Sequence, residues 1–586
     1  MKTIRLIALS LIFALLFSLP LYAAGDLQNS VVASVVTNNI QSDATVTVLT
    51  TTDVHGFVYP YDYNTNQAID NSLAEAYTII QSEQTTYKNN LLLDAGDTLQ
   101  GTPLASFYNS IDTSWQTHPL FAVYDLMHYD AVCIGNHDFN FGKKLLEKAR
   151  SGLRTPLLGA NIIDSKTKTT WNQVAPYIIK RFETPKGVIT VAVIGTVTPA
   201  IPNWENPGNY AGLTFVDQVP AARAVIDKLK GKVDAFILLS HSGVEINGAE
   251  TIATENEIVR LTAACPEAAL IIGGHKHQIW DESKTITDLN KQPLYINSIV
   301  NGVPYLSPGM FGKFVGEARL GFDKTASGWK VVSVNTKNIP VSGVAPDKKI
   351  VAFIQPYHDK VMKYLNASIG DAATTFPPCD FTADNPLVRL INQSMMYYGK
   401  ADLSSSANFN KAATIPKGAI TRNSMYSLYV YENYLYTIKI TGAQLKKFLE
   451  YSARYINAAP VGATSFTVGG PANSIPSYNY DIVEGVTYTI NAARPVGQRI
   501  EQLTFKNRPV QATDTFSFAM NNYRYNGGGG FMNAMGFDND HPAEVLYDSQ
   551  KQLGDEGQIR NLIMNYIILK KVITPQYEAN PQIAAR

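Results

Sequence analysis

Five short apolar runs in the first half of the chain share one grammar. "TVTVLTTTD" (45–53), "NNLLLDAGD" (89–97), "DAVCIGNHD" (130–138), "AFILLSHSG" (235–243) and "AALIIGGHKH" (268–277) each pass directly into Asp, Asn or His beside Gly. Runs of this length, closed by turn residues, predict buried strands with polar side chains at their C-terminal ends. Between them, "SLAEAYTIIQSEQ", "GKKLLEKAR" and "AARAVIDKLK" space their apolar residues as crossover helices do. Residues 43–340 are thus expected to form an α/β layered domain with its polar residues gathered along one edge.

A helical pattern follows at 347–368, "DKKIVAFIQPYHDKVMKYLNAS", with Pro356 as an expected kink or boundary. It reads as a connector. Beyond it tyrosine becomes frequent, and "YLYTIKITG", "GVTYTINA" and "DTFSFAMNNY" are strand-like. Among them "TGAQLKKFLEYSARYI" predicts a helix capped by Thr441, with Leu445, Phe448, Leu449, Ser452 and Tyr455 on one stripe. Residues 370–586 are expected to form a second, α+β domain. No fixed-period repeat is visible.

Length and composition agree with two globular domains: 586 residues, 45% apolar and 17% charged. The N-terminus places Lys2 and Arg5 before an apolar stretch interrupted by Ser10, Ser18 and Pro20, then small residues at Ala23, Ala24 and Gly25. This predicts a signal peptide over 1–24, cut after Ala23 or Ala24, and a periplasmic or secreted protein. An uncleaved anchor is the alternative, against which those interruptions count. Removing 1–24 leaves 47 Lys+Arg against 49 Asp+Glu, so neither a nucleic-acid polymer nor an anionic membrane is indicated as partner. The tail "ITPQYEANPQIAAR" is polar, no membrane insertion is expected after signal cleavage, and a monomer is expected. Cys133, Cys265 and Cys379 are too few for a disulfide framework, with room for one bridge; Cys133 reads as a small buried apolar residue.

The strand-end residues carry the chemistry: Asp53 and His55, Asp94 and Asp97, Asn136, His137 and Asp138, His241, and His275 and His277. Five of the nine histidines lie in these motifs. His275 and His277, two apart, would face one site from extended chain. Imidazole, carboxylate and amide oxygen together suit a pair of borderline divalent metals such as Zn, Mn, Fe or Co. Adjacent glycines would let ligands from separate strands converge.

The ordered series D-x-H, G-D, G-N-H-[DE], H and G-H-x-H resembles that of the calcineurin-like metallophosphoesterases and spans the first half. The resemblance implies a layered β-sandwich flanked by helices, and two metal ions. It implies that Asp53, His55 and His277 hold one metal and Asn136, His241 and His275 the other, that Asp97 bridges both, and that His137 stabilises or protonates the leaving oxygen. Asp94 and Asp138 are expected to support the ligands without touching metal.

The second half is similar to the nucleotide-binding domain of exported nucleotidases in "LYVYENYLYTIKITGAQLKKFLEYSA", "PSYNYDIVEGVTYTI" and "NNYRYNGGGGF". It looks closest to the bifunctional 2′,3′-cyclic-nucleotide 2′-phosphodiesterase/3′-nucleotidase branch. In the 5′-nucleotidase branch the catalytic histidine has an Asp three residues on, where this chain has Asn140; that carboxylate would raise the histidine's pKa. Tyr431 and Tyr523 match the two rings that clamp the base, and Asn433 an amide that contacts it; stacking of this kind tolerates any base. The run Gly527–Gly530 reads as a loop packed close to substrate, since no Lys-Ser/Thr follows it. The implied function is hydrolysis of small-molecule 2′,3′-cyclic nucleotides to 3′-nucleotides, and of these to nucleoside and phosphate. The rivals are a 5′-nucleotidase/UDP-sugar hydrolase, a catalytically inactive nucleotide-binding protein and, more distantly, a sulfur-ester hydrolase.

Overall fold

A computed structural model describes residues 42–586, apart from 64, 246–253, 288–292, 381–383, 471–473, 539 and 579. The signal peptide expected over 1–24 lies outside the described residues. All five apolar runs are strands: Ala44–Thr51, Asn90–Asp94, Ala131–Cys133, Ala235–His241 and Ala268–Gly273. The first three lie side by side and parallel in a six-stranded sheet, whose antiparallel edge is the hairpin Phe314–Thr325/Gly328–Pro340. The last two are parallel neighbours in a second sheet of seven strands.

The runs are continuously apolar because both faces of each sheet are covered. Val46, Val48, Leu91, Leu93, Ile237, Leu239, Leu270 and Ile272 meet between the two sheets. Their intervening neighbours point outward, Leu49 and Leu92 under one helical layer and Phe236, Leu238 and Ile271 under the other. Each such side chain contributes about 1.5–3 kcal/mol by leaving water. Helices Leu73–Thr86, Pro119–Met127 and Lys348–Leu365 cover the first sheet; Gln218–Leu229 and Ile258–Ala264 cover the second. The result is an α/β sandwich of two sheets between two helical layers.

Helix Lys348–Leu365 is capped by Asp347, whose side chain accepts from the amides of Lys349 and Ile350. Pro356 does not end it. Ile350, Ile354, Val361 and Leu365 remain buried in the first domain's core on both sides of the proline, and that packing outweighs the missing backbone bond.

The second domain is built on a five-stranded mixed sheet that includes Leu403–Ala407, Leu435–Thr441 and Thr515–Asn521. One face packs on helix Gly442–Ser452, the other on Pro386–Gly399 and Ile559–Lys570. Thr441 caps Gly442–Ser452 in a reciprocal box with Gln444, and the whole predicted stripe is buried. All three cysteines are free thiols; buried Cys133 donates to the carbonyl of Thr196. Among the described residues no helix is long and apolar enough to cross a membrane.

Candidate active site

The five strand ends converge on one edge of the sandwich. The turns are made by the polar residues themselves as much as by the glycines. Asp53, His55, Asp97, His275 and His277 have φ of 48°, 49°, 62°, 68° and 57°, in the left-handed region where a residue with a Cβ costs about 1–3 kcal/mol. The His275–His277 segment is therefore not extended, contrary to the sequence expectation. Backbone bonds hold the strained turns: Asp53 donates to the carbonyl of Gly96 and His55 to that of Asp97, both at 2.9 Å, and Gly274 donates to Ser242 at 3.2 Å. Gly135 is required for the closest approach, since a Cβ there would lie 2.1 Å from Asp97 Oδ1.

Two overlapping groups result. In one, His277 Nε2 lies 3.3 Å from Asp53 Oδ1 and 3.1 Å from His55 Nε2, which is 3.9 Å from Asp53. In the other, His241 Nε2 lies 3.1 Å from both Asp97 Oδ2 and Asn136 Oδ1, and Asn136 Oδ1 lies 2.9 Å from His275 Nδ1. Asp97 Oδ2 is also 3.8 Å from His55 Nε2, so this carboxylate stands between the groups. Asp53, His55 and His277, and separately Asp53, Asp97 and His241, are close enough to share an ion.

Hydrogen bonding makes these contacts unfavourable without a cation. His241 Nδ1 donates to the carbonyl of Ala95 at 2.8 Å, His55 Nδ1 to that of Gln100 at 3.1 Å, and His275 Nε2 to Glu255 at 3.3 Å. Each imidazole spends its N–H outward and turns a lone pair inward, as metal-ligating histidines do. There the lone pairs meet carboxylate and amide oxygens, and Asp97 Oδ2 is buried without a hydrogen bond. Without an ion His241 takes up a proton on that inward nitrogen instead: burial opposes the charge, yet Asp97 and Asp53 outweigh it and raise its pKa to about 10, and a bound divalent ion would displace that proton. This pocket attracts positive charge, and its donor set fits divalent cations.

The flanking acids are supports. Asp138 accepts the backbone amides of Thr98, Leu99 and Gly135, each at 2.9 Å, tying two of the turns together. Asp94 accepts from Thr51 Oγ1 at 2.5 Å and from the amide of Gly96 at 2.8 Å. Burial pushes its carboxyl up to about 8.

His137 lies beside the first group, its ring centroid 5.4 Å from that of His55. Its Nδ1 donates to Asn140 Oδ1 at 2.7 Å, and Asn140 Nδ2 donates to buried Glu205 at 2.6 Å. From the second domain, Tyr431, Tyr478 and Tyr523 gather nearby. The Tyr523 phenol is pushed up to about 12, by burial first, with Tyr478, Glu255 and Tyr431 adding to it. The ring of Phe409 stands edge-on to Tyr431 at 5.2 Å, and Asn433 Nδ2 donates to Tyr429 at 3.2 Å. The glycine run packs against Tyr523: a Cβ on Gly528 would meet its ring at 2.5 Å.

Comparison with known proteins gives this arrangement its family. Residues 46–279 match the calcineurin-like phosphoesterases, and residues 368–536 match the 5′-nucleotidase C-terminal domain. The chain is a two-domain metallophosphoesterase of the 5′-nucleotidase family. It is 27% identical to the 2′,3′-cyclic-nucleotide 2′-phosphodiesterase/3′-nucleotidase of Salmonella typhimurium over 82% of this chain and 81% of that protein. It is also 27% identical to the trifunctional nucleotide phosphoesterase protein YfkN of Bacillus subtilis over 92% of this chain, but spans only 39% of that protein. A crystal structure from Staphylococcus aureus, provisionally described as a 5′-nucleotidase, is 25% identical, with a TM-score of 0.76 over 92% of this chain and 100% of that one.

As a metallophosphoesterase the protein is a metal-dependent phosphoester hydrolase, and several of its site residues carry no local signature. Glu255 steadies His275 and stands near Tyr523, linking the two halves of the site. Gln100 contacts His55 and donates to Glu432 at 2.7 Å across the domain junction. Glu205 likewise sits outside every recognised motif, and Tyr478 lies within one of the matched stretches, "PSYNYDIVEGVTYTI", with nothing local to single it out.

Proposed function

We propose that this metallophosphoesterase is an exported dinuclear hydrolase that opens 2′,3′-cyclic nucleotides to 3′-nucleotides and then releases nucleoside and phosphate. Residues 43–340 would be the catalytic domain, 347–368 the connector and 370–586 the substrate-binding domain. The observation that carries the reading is the pair of ligand groups meeting at Asp97, beside a tyrosine cluster from the other domain. Asp53, His55 and His277 would hold one divalent ion, Asn136, His241 and His275 the other, and Asp97 both. When bound, the ions supply charge neutralisation and a water nucleophile active near neutral pH.

The chain's own residues do the rest. Tyr431 and Tyr523 take the base between them, with Asn433 at its edge, and so bring the phosphate to the strand ends. As the bond from phosphorus to the 2′-oxygen breaks, His137 gives that oxygen its proton. The 3′-ester is then cleaved in the same way, His137 again protonating the departing oxygen. The relatives named for the cyclic activity match over most of their length, which supports this substrate class. A 5′-nucleotidase is the second reading, favoured by the carboxylate of Glu205 behind Asn140.

The test is the initial rate of product release from 2′,3′-cyclic AMP, 3′-AMP and 5′-AMP, before and after chelation and after readdition of Mn or Zn. Chelator-sensitive turnover of the first two, with 5′-AMP much slower, supports the proposal. A dominant 5′-AMP rate replaces it with the second reading.

A further inference from the structure

The reading of His137 as donor to the leaving oxygen raises the question of what fixes its ring. Asn140 is an amide and can present either its oxygen or its NH2 to His137. The surroundings decide which. Glu205 Oε1 is already occupied by the amide of Asn206 at 2.7 Å and by Asn209 Nδ2 at 2.8 Å, and Glu205 Oε2 faces Asn140 at 2.6 Å. Burial pushes the Glu205 carboxyl up to about 7; above that pH it is a carboxylate and only accepts, so Asn140 must turn its NH2 to Glu205 and its oxygen to His137 Nδ1. An imidazole that donates from Nδ1 is free to carry a second proton at Nε2, where a leaving oxygen can take it.

We infer that Glu205 is a positioning residue for the hydrolysis, acting through Asn140 to hold His137 as a donor. The carboxylate absent three residues after His137 is thus provided from 65 residues further along than Asn140. It is also tied to the second domain. Asn206 bonds Gln550 and donates to Tyr436 at 3.3 Å, and Gln550 donates to Asn209 at 3.0 Å. Domain docking therefore holds the two residues that occupy Glu205 Oε1.

The inference rests on the proposed role of His137 and has a test that separates the two. Glu205→Gln keeps the shape but sets an NH2 against the NH2 of Asn140. The Asn140 amide then flips and presents a donor to His137 Nδ1, which removes the donating form. The double variant Asn140→Asp with Glu205→Gln exchanges carboxylate and amide and restores every donor–acceptor pair. Each protein is assayed on the nucleotide that the wild type turns over fastest, and on p-nitrophenyl phosphate, whose leaving group departs without a proton.

Glu205→Gln is expected to lower kcat on the nucleotide by about 10- to 100-fold, less than the roughly 10²- to 10⁴-fold that a general acid contributes because His137 itself is retained, with KM and metal content near wild type. It should leave p-nitrophenyl phosphate turnover nearly unchanged, and the double variant should recover most of the nucleotide rate. Equal losses on both substrates, no loss on either, or a double variant no better than Glu205→Gln would overturn the inference. His137→Asn is the reference: if it too fails to distinguish the leaving groups, the reading of His137 falls. If it distinguishes them and Glu205→Gln does not, only the role of Glu205 falls.

Discussion

Glu432 sits between Tyr431 and Asn433 and is 9% exposed. Its carboxylate accepts from Gln100 at 2.7 Å and Ser106 at 2.9 Å in the first domain, and faces both terminal nitrogens of Arg560 at 3.3 Å in the second. Glu432→Gln preserves volume and removes the charge. Arg560 would keep its bond to the Tyr429 carbonyl at 2.8 Å and the face of Tyr426 at 4.1 Å. It would lose its counter-ion while 3% exposed. Leaving one partner of a buried pair uncompensated costs about 3–5 kcal/mol, and a Gln100 or Ser106 donor set against an amide NH2 adds about 1 kcal/mol or more. The affected groups lie at the junction, so the loss falls on docking more than on either core. Urea unfolding and small-angle scattering read it out: an earlier first transition, a larger radius of gyration, and lower kcat/KM because Gln100 no longer steadies His55. Ser106→Ala, which keeps the ion pair, should cost less, about 1.5–3 kcal/mol. A Glu432→Gln midpoint and radius indistinguishable from wild type would refute the argument that this carboxylate latches the domains.

Chelation should abolish turnover and lower the melting temperature, and readdition of Mn or Zn should restore both; elemental analysis should find two ions per chain, and a single ion would contradict the shared role of Asp97. Gly135→Ala places a Cβ 2.1 Å from Asp97 Oδ1, so the protein should fold but bind metal weakly, which calorimetric titration would show. Tyr523→Ala should raise KM for nucleotides about 5- to 150-fold, the equivalent of one lost base stack at about 1–3 kcal/mol, with a smaller change in kcat; steady-state kinetics decides. Asp94, raised to about 8 from 3.8 by burial first, should favour the folded metal-free protein fully below pH 3.8, and that contribution should fade as pH rises toward 8. The slope is at most about 1.4 kcal/mol per pH unit, and Asp94→Asn should flatten it in unfolding measured across that window.

The strands of the first domain could be read from the chain because burial on both faces writes an unbroken apolar run, and because the site needs Asp, Asn or His where each run stops. Helix Gly442–Ser452 was legible for a similar local reason, a cap and a stripe within sixteen residues. Pro356 does not mark a boundary because the backbone bond it removes is outweighed by distant packing. Glu205, Glu255, Gln100 and Glu432 were illegible: each is a single polar residue whose partner comes from elsewhere in the fold, 332 positions away for Gln100 and Glu432. Asn140 shows the limit most clearly. Read locally it is a lost carboxylate, whereas in three dimensions Glu205 stands behind it.

The left-handed turns were equally hidden, since glycine advertises positive φ and Asp or His does so only weakly. Their consequence reaches beyond geometry. Five strained residues and several inward-facing lone pairs occupy the same few turns. Strain and acceptor crowding both raise the energy of the cation-free edge, and a bound cation offsets both. Folding of the strand ends and metal binding are therefore one linked equilibrium, so the stability gained on loading should be largest in these turns and small in the sandwich core. Hydrogen exchange that shows protection spread evenly over both domains on loading would contradict that linkage.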